Sequence, residues 1–296
     1  MTSTANPSLV QLHGLERSDR VQTYAQIAET VRRVRAGIEA QGLQCRPNSA
    51  LGSLFQKAQV LNEQWEAQTN GHDILTLMQA DEAVRIAHAV EAVLDEPEAK
   101  EAIRRITKSD MHLSTRQPSQ GKDALWELDL NRFLRQRQVP VRMQEPPDLA
   151  VTLPGLLGEY GLACKKVYSE DSVSKQLQKG CRQLKAMGAP GVVAFNLDDI
   201  TPQRSILVQP TRVAAEDFLH AKNIAFITRH RLVLQKAVMS GGCDAILLAT
   251  AAQADIKGLS PRFNRVTQFT LWTVNEAAAG THLRIAALHR LIDGKS

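Results

Sequence analysis

Two short apolar segments carry the residues with the most distinctive chemistry in this sequence. They are Pro147-Asp148-Leu149-Ala150-Val151 and Gly161-Leu162-Ala163-Cys164-Lys165-Lys166-Val167. An acidic residue at the start of one strand and a lysine in the middle of the next are what metal-dependent phosphodiester cleavage requires. In such a site the carboxylate binds Mg²⁺. The lysine positions the attacking water and stabilises the charge that develops on the phosphate. Asp148 and Lys165 are therefore the first candidate catalytic residues.

The second of these segments lacks the carboxylate that such a site normally adds. Alternate side chains of a strand share a face, so Ala163 and Lys165 point one way and Cys164 and Lys166 the other. The position two residues before the lysine holds Ala163, whose methyl group cannot bind Mg²⁺. The backbone carbonyl of Cys164 stays available as a hard oxygen ligand. A register shifted by one residue would use Cys164 and Lys166, and a thiol suits Mg²⁺ poorly, which favours Lys165.

Two regions of the sequence differ in their apolar pattern. Up to about residue 113, apolar residues recur at helical spacing, which predicts a helical N-terminal region over 1–115. The polar Pro/Gly/Ser segment 114–121 predicts a domain boundary. The region 116–296 alternates strand-like runs with helices, which predicts an α/β domain whose mixed sheet is flanked by helices. The strand-like runs are 139–144, 148–153, 161–168, 191–197, 244–249 and 266–274. The helices after the boundary are 122–137, 172–186, 213–240 and 277–291.

Composition excludes several function classes. Hydrophobic residues make up 43% of the chain and charged residues 23%, the balance of a soluble globular protein. No apolar run approaches the ~20 residues that span a bilayer, so no membrane association is expected. The first residues lack the basic start and apolar core of a signal peptide, which predicts a cytoplasmic location. The four cysteines form no C-x-x-C pair and no H-E-x-x-H motif occurs, which argues against a zinc or redox site.

The basic residues concentrate around the candidate site. The net charge of +5 favours a polyanionic partner only weakly, whereas clustering near the site is a stronger indication of phosphate contact. The expected nucleic-acid contacts are Lys166, Lys175, Lys179 and Arg182. DNA is the expected partner, and RNA stays open. For the run 175–185 alone, a solvated helix face explains the charges equally well.

The order of these features resembles the PD-(D/E)xK nuclease superfamily, which includes restriction enzymes, Holliday-junction nucleases and repair nucleases. The chain has a glutamate on a helix, a Pro-Asp pair, a strand lysine and a Lys- and Gln-rich segment, in the order Glu127, Pro147-Asp148, Ala163-Cys164-Lys165 and 175–184. The resemblance covers about residues 121–199. It implies a restriction-endonuclease-like core, in which a small mixed sheet lies between helices.

The resemblance also implies roles for individual residues. Asp148 would bind Mg²⁺ or Mn²⁺, together with the backbone carbonyl of Cys164. Lys165 would contact the attacking water or the scissile phosphate. Glu127 would be a catalytic carboxylate that binds the metal or lies beside it. Many members cut DNA as dimers, so a homodimer is compatible with the resemblance.

Ala163 departs from the superfamily pattern and leaves three hypotheses. In the first, the protein is a metal-dependent nuclease that hydrolyses DNA phosphodiester bonds, with the missing carboxylate supplied by Glu127, Glu159 or Glu170. In the second, it is a catalytically inactive nuclease-fold protein that binds nucleic acid or acts as an assembly module. In the third, it is a helical scaffold joined to an α/β domain of another function. The sequence leaves open whether the protein is an enzyme.

Overall fold

The structure is a computed structural model that describes residues 9–12, 23–67, 74–113, 115–201, 206–259 and 263–294. These residues form helices and one mixed sheet. The helices are α1 (Tyr24–Ala40), α2 (Ala50–Glu66), α3 (Ile74–Glu91), α4 (Lys100–Lys108), α5 (Gln120–Gln136), α6 (Val173–Met187), α7 (Arg212–Met239) and α8 (Ala279–Asp293). The strands are β1 (Leu9–Leu12), β2 (Val141–Met143), β3 (Leu149–Leu153), β4 (Gly158–Lys166), β5 (Gly191–Asn196), β6 (Ile206–Gln209), β7 (Ala245–Ile256) and β8 (Phe263–Trp272).

The chain divides into two compact units. One is Asp19–Arg132, and the other combines Met1–Ser18 with Phe133–Ser296. The division falls inside α5, further along the chain than the boundary expected at 115–116. The polar segment before α5 belongs to the helical unit, where the buried ammonium of Lys122 donates to the Thr115 carbonyl at 2.9 Å and to the Gln117 carbonyl at 3.2 Å.

The helical unit follows the apolar spacing of its sequence. Val31, Val34 and Ile38 are fully buried on one face of α1, as a period of 3.6 residues requires. Thr23 begins this helix by accepting from the Gln26 N–H, while the Gln26 side chain binds the Thr23 N–H in return. Helices α1, α2 and α3 pack against one another.

The sheet of the second unit has eight strands in mixed orientation. Its order is β1-β8-β7-β5-β4-β3-β2, and β6 pairs with the far end of β7. Strands β4, β5 and β7 are parallel, whereas β2, β3 and β8 run antiparallel to their neighbours. The expected class, a mixed sheet flanked by helices, is therefore confirmed. The four-residue strands β1 and β6 were not predicted.

Two helices cover the sheet face on which the candidate site lies. Alternate residues of β4, β5 and β7 form an apolar core with α6 and α7, whose buried members include Ala163, Val193, Phe195, Ile246, Leu177, Leu184, Phe226 and Leu234. On the opposite face Phe133 stacks on Phe269 at a ring separation of 3.9 Å. In the described part of the chain, no helix combines the length and apolarity needed to cross a membrane.

Candidate functional site

The site forms where β3 begins beside the end of β4. Leu149 pairs with Leu162 in the antiparallel ladder, so one step earlier Asp148 comes opposite Ala163. Lys165 lies two residues after Ala163 on β4, so its side chain is on the same face of the sheet as that of Ala163. The structure thus brings Asp148 and Lys165 together beneath α6, as strand alternation predicts.

Asp148 is buried and bound by three donors. Its exposed fraction is 7%. The Lys165 ammonium donates to Oδ2 at 3.0 Å, and the Cys164 backbone N–H donates to the same oxygen at 2.6 Å. On the other side, Nε2 of Gln183 donates to Oδ1 at 3.1 Å and to the Pro147 carbonyl at 2.8 Å. Strand β4 and helix α6 therefore both hold this carboxylate in place.

The Lys165 ammonium occupies the position at which a metal ion was expected. Besides binding Asp148, it donates to the Cys164 carbonyl at 2.6 Å. It therefore bridges two of the three oxygen groups expected to bind Mg²⁺, those of Asp148 and Cys164. Burial raises the pKa of Asp148, and the nearby Lys165 ammonium and the hydrogen bonds from Lys165, Cys164 and Gln183 lower it part of the way back.

Ala163 leaves the site with a single carboxylate. Its methyl group is fully buried in the apolar core of the sheet. Mg²⁺ usually binds through one or two carboxylates and keeps several waters, so a site whose only acid is already matched by an ammonium offers it little net attraction. Across the described residues, no group of three or more His, Cys, Asp or Glu side chains could hold a metal. The residues of this site therefore do not fit Mg²⁺ or Mn²⁺.

Each carboxylate considered as a replacement is bound to an arginine elsewhere. Glu127 lies in the helical unit, where Arg105 binds it through two nitrogens, at 3.1 and 2.6 Å. Glu159 forms a surface ion pair with Arg142. Glu170 is bound by Arg229, at 2.6 Å, and by His230. These contacts give each glutamate a local partner of its own.

Lys166 lies on the opposite face of β4 from Lys165. Its exposed fraction is 9%, and its ammonium binds Oδ2 of Asp199 at 2.6 Å and Oδ1 of Asn196 at 2.7 Å. It also lies 5.6 Å from the ring centre of Tyr168. Lys166 was expected to contact nucleic acid. Strand alternation instead places its side chain on the opposite face from Lys165, where it forms a buried ion pair away from the exposed basic residues.

Helix α6 presents those exposed basic residues. Lys175, Lys179 and Arg182 follow one another at intervals of four and three residues, so they share one face of the helix. All three are exposed, as is Lys185, and the helix contains no acidic residue. Within the described part of the chain, none of the four forms an ion pair. Their charges are therefore available to an anionic partner.

Gln183 is a site residue that the sequence predicted only as part of the Lys- and Gln-rich segment 175–184, as a helix-surface or sheet-contact residue. On α6 it follows the inward-facing Gly180 by three residues and directly precedes the buried Leu184. That position on the helical wheel places it at the edge of the buried face, where a polar side chain can reach the sheet. The signal was present in the helix register, but nothing in the sequence showed that α6 would lie over Asp148.

Comparisons with known proteins supply no relative: no protein-family model matches this chain, and neither a curated protein nor a solved structure matches it. The resemblance to the PD-(D/E)xK superfamily consequently depends on the motif residues alone.

Proposed function

We propose that this protein binds the phosphodiester backbone of nucleic acid, with DNA as the first candidate, and does not hydrolyse it through a bound metal. The observation that carries the proposal is the position of the Lys165 ammonium. The ammonium donates hydrogen bonds to both the Asp148 carboxylate and the Cys164 carbonyl. A side-chain cation would thus take the place that a metal ion has in a nuclease site. The protein would thus keep the architecture of a nuclease site for binding.

The charge of α6 supports a polyanionic partner. A helix of 15 residues is about 22 Å long, and this one carries four exposed cations without an acid among them. Duplex DNA presents phosphates along a comparable length, and each phosphate neutralised by a cation releases counterions into solution. Gln183 links this helix directly to Asp148, so the basic face and the candidate site belong to the same local structure.

Binding to labelled DNA tests the proposal. Fluorescence anisotropy is measured with a short duplex and with a single strand of the same length, over a series of salt concentrations. Contacts from Lys175, Lys179 and Arg182 would make log K fall against log salt with a slope of about −2 to −3. The double variant Lys179→Glu/Arg182→Glu should weaken binding about tenfold or more at low salt and reduce the magnitude of the slope by about 2.

A charge-matched variant serves as the control. Lys100→Glu/Lys108→Glu changes the net charge equally, at two exposed positions of α4 in the helical unit. It should leave the affinity within about twofold if α6 supplies the contact, because it lowers the net charge by the same amount without changing that helix. Equal losses from the two double variants would show a response to net charge alone and would contradict the proposal.

The absence of hydrolysis is tested separately. Plasmid and single-stranded DNA are incubated with Mg²⁺ or Mn²⁺ and the protein, alongside Asp148→Ala and Lys165→Ala. We expect no metal-dependent cleavage by the wild-type protein. Cleavage that both substitutions abolish would overturn the metal-free part of the proposal and support a hydrolase. If neither form of DNA nor an RNA of the same sequence binds, the nucleic-acid proposal fails.

A further inference from the structure

The outer face of α7 carries an apolar stripe that no other described element covers. Four residues at intervals of seven, Phe218, Ala225, Leu232 and Met239, form this α7 stripe, and all four are exposed. Leu232 is 87% exposed, Met239 50% and Phe218 42%. The opposite face of the same helix contributes Phe226 and Leu234, among others, to the core of the sheet. Helix α7 is therefore apolar on two sides.

The spacing of the stripe is that of a helix that packs against another helix. Ala221, Thr228 and Gln235 follow three residues after Phe218, Ala225 and Leu232, which gives alternating intervals of three and four. The first position of each heptad is apolar and the second carries Ala, Thr or Gln, so a helix that packed here would contact mainly the first position. From Phe218 to Met239 the stripe is about 32 Å long. A single exposed leucine needs no explanation, but three large exposed apolar side chains on one face of the same helix do.

A row of basic residues accompanies the stripe. Lys222, Arg229 and Lys236 each follow a stripe residue by four positions, so they line one edge of it. Lys222 lies 5.2 Å from the ring centre of Phe218, and Arg229 binds Glu170. Lys236 forms no ion pair within the described residues. Two acidic residues of the described chain lie beside the stripe: Glu170, which Arg229 and His230 bind, and Asp217, which accepts a hydrogen bond from Gln11 at 3.3 Å.

The positive charges along this edge indicate which kind of partner helix can bind the stripe. In an antiparallel pair of α7 helices, Lys222 would face Lys236 of a second copy, and neither lysine forms an ion pair within the described residues. Like charges at flanking positions oppose such pairing, whereas opposite charges at these positions set partner choice. We propose that the α7 stripe is a docking surface for an acidic amphipathic helix of a protein partner. Acidic side chains flanking the partner's apolar seam would meet Lys222, Lys236 and the exposed Arg231.

A designed peptide tests this surface directly. The probe is a fluorescent helix of three heptads, with Leu at the seam positions and Glu at the flanking positions. A sister peptide carries Lys in place of each Glu. We expect the Glu peptide to bind the wild-type protein at least about tenfold more tightly than the Lys peptide, because opposite charges at flanking positions favour pairing. The charge-reversal variant Lys222→Glu/Lys236→Glu should invert that preference.

Apolar substitutions and a matched control complete the test. Leu232→Ser/Met239→Ser should weaken binding of the Glu peptide about tenfold or more, since two exposed apolar anchors are lost. Leu283→Ser removes an apolar residue that is 61% exposed on α8 and should leave binding within about twofold. Circular dichroism establishes that each variant is folded. The α7 variants should retain DNA affinity, which separates this surface from the proposed function.

Several outcomes would overturn the proposal. They are equal binding of the two peptides, no binding of the Glu peptide, and an equal loss with Leu283→Ser. Self-association in analytical ultracentrifugation that Leu232→Ser abolishes would assign the stripe to a second copy of this chain. Sedimentation with phosphatidylserine vesicles that the same substitution abolishes would assign it to an anionic lipid surface.

Discussion

Lys165 and Lys166 are neighbours in the sequence, yet they occupy two different environments on opposite faces of β4. Both ammonium groups are largely buried, and both bind one carboxylate: Asp148 for Lys165 and Asp199 for Lys166. The partners of Lys166 come from the end of β5 and the turn that follows it. Those of Lys165 come from β3 and from the backbone of β4 itself, with α6 holding Asp148 from the other side.

The difference shows how similar ion pairs can serve different purposes. The Lys166 pair joins the turn after β5 to the sheet and lies away from the exposed cations of α6, which fits a structural role. The Lys165 pair lies where two strands and α6 meet. It is next to Ala163, the position at which the motif would have a second carboxylate. Two adjacent lysines are therefore distinguished by the face of the strand on which each lies, since their residue type is the same.

The largest expected effect separates the two pairs by stability. Lys166→Met leaves the buried Asp199 without its cation and should lower the free energy of unfolding by about 3–5 kcal/mol, as removal of one partner of a buried pair typically does. DNA affinity per folded molecule should not change, because Lys166 lies away from α6. Urea denaturation and anisotropy on the same preparation measure the two quantities.

A double variant is the control for this stability effect. Lys166→Met/Asp199→Leu removes both charges and should recover most of the lost stability, because replacement of a whole buried pair by apolar groups is often neutral. If Lys166→Met weakened DNA binding while it left stability unchanged, the structural role assigned to this lysine would be wrong.

The next expected effect concerns the missing carboxylate. Ala163→Glu would place an acid opposite Asp148 on the neighbouring strand, where cross-strand side chains lie about 5 Å apart. The site would then offer two carboxylates, and millimolar Mg²⁺ should raise the thermal stability of the variant by about 1–3 kcal/mol while leaving the wild type unchanged. Differential scanning calorimetry with and without Mg²⁺ measures this shift, and metal-dependent cleavage of DNA by the variant is a second readout.

Ala163→Gln is the matched control for that variant. It has nearly the same size and polarity without the charge, so it reports the cost of filling a packed position in the core. Mg²⁺ should not stabilise it. Equal responses of the two variants to Mg²⁺ would show that the ion binds elsewhere, and the idea of a site lacking only one carboxylate would be abandoned.

Much of the fold was predictable because local pattern and buried position agree. Six of the eight strands of the sheet, and the helices that flank it, fall on apolar runs of the sequence that the structure buries. Strand alternation also placed Ala163 and Lys165 on one face. The strands β1 and β6 escaped prediction because each is a four-residue segment whose strand conformation depends on pairing with β8 or β7.

The site itself could be predicted only in part, because its remaining contacts come from distant segments. Gln183 reaches Asp148 across 35 positions in the sequence, and the packing of α6 over β3 and β4 alone brings them together. Glu127 fitted the motif order, but its two hydrogen bonds from Arg105 depend on how α4 packs against α5. Sequence order restricts which residues can meet, whereas tertiary packing decides which of them do.

The smallest expected effect is a pH dependence that tests the charge balance at Asp148. Burial raises its pKa above the unfolded value of about 4, so the folded state holds the proton more tightly than the unfolded state. The stability contributed by this group is therefore greatest at low pH and declines as the pH rises from about 4 through the folded pKa, at no more than about 1.4 kcal/mol per pH unit.

In Asp148→Asn this decline is absent, so the substitution should destabilise the protein most near pH 4 and less at higher pH. Urea denaturation at a series of pH values measures the difference. Destabilisation that grows with pH would mean that the Lys165 ammonium outweighs burial and holds the carboxylate ionised.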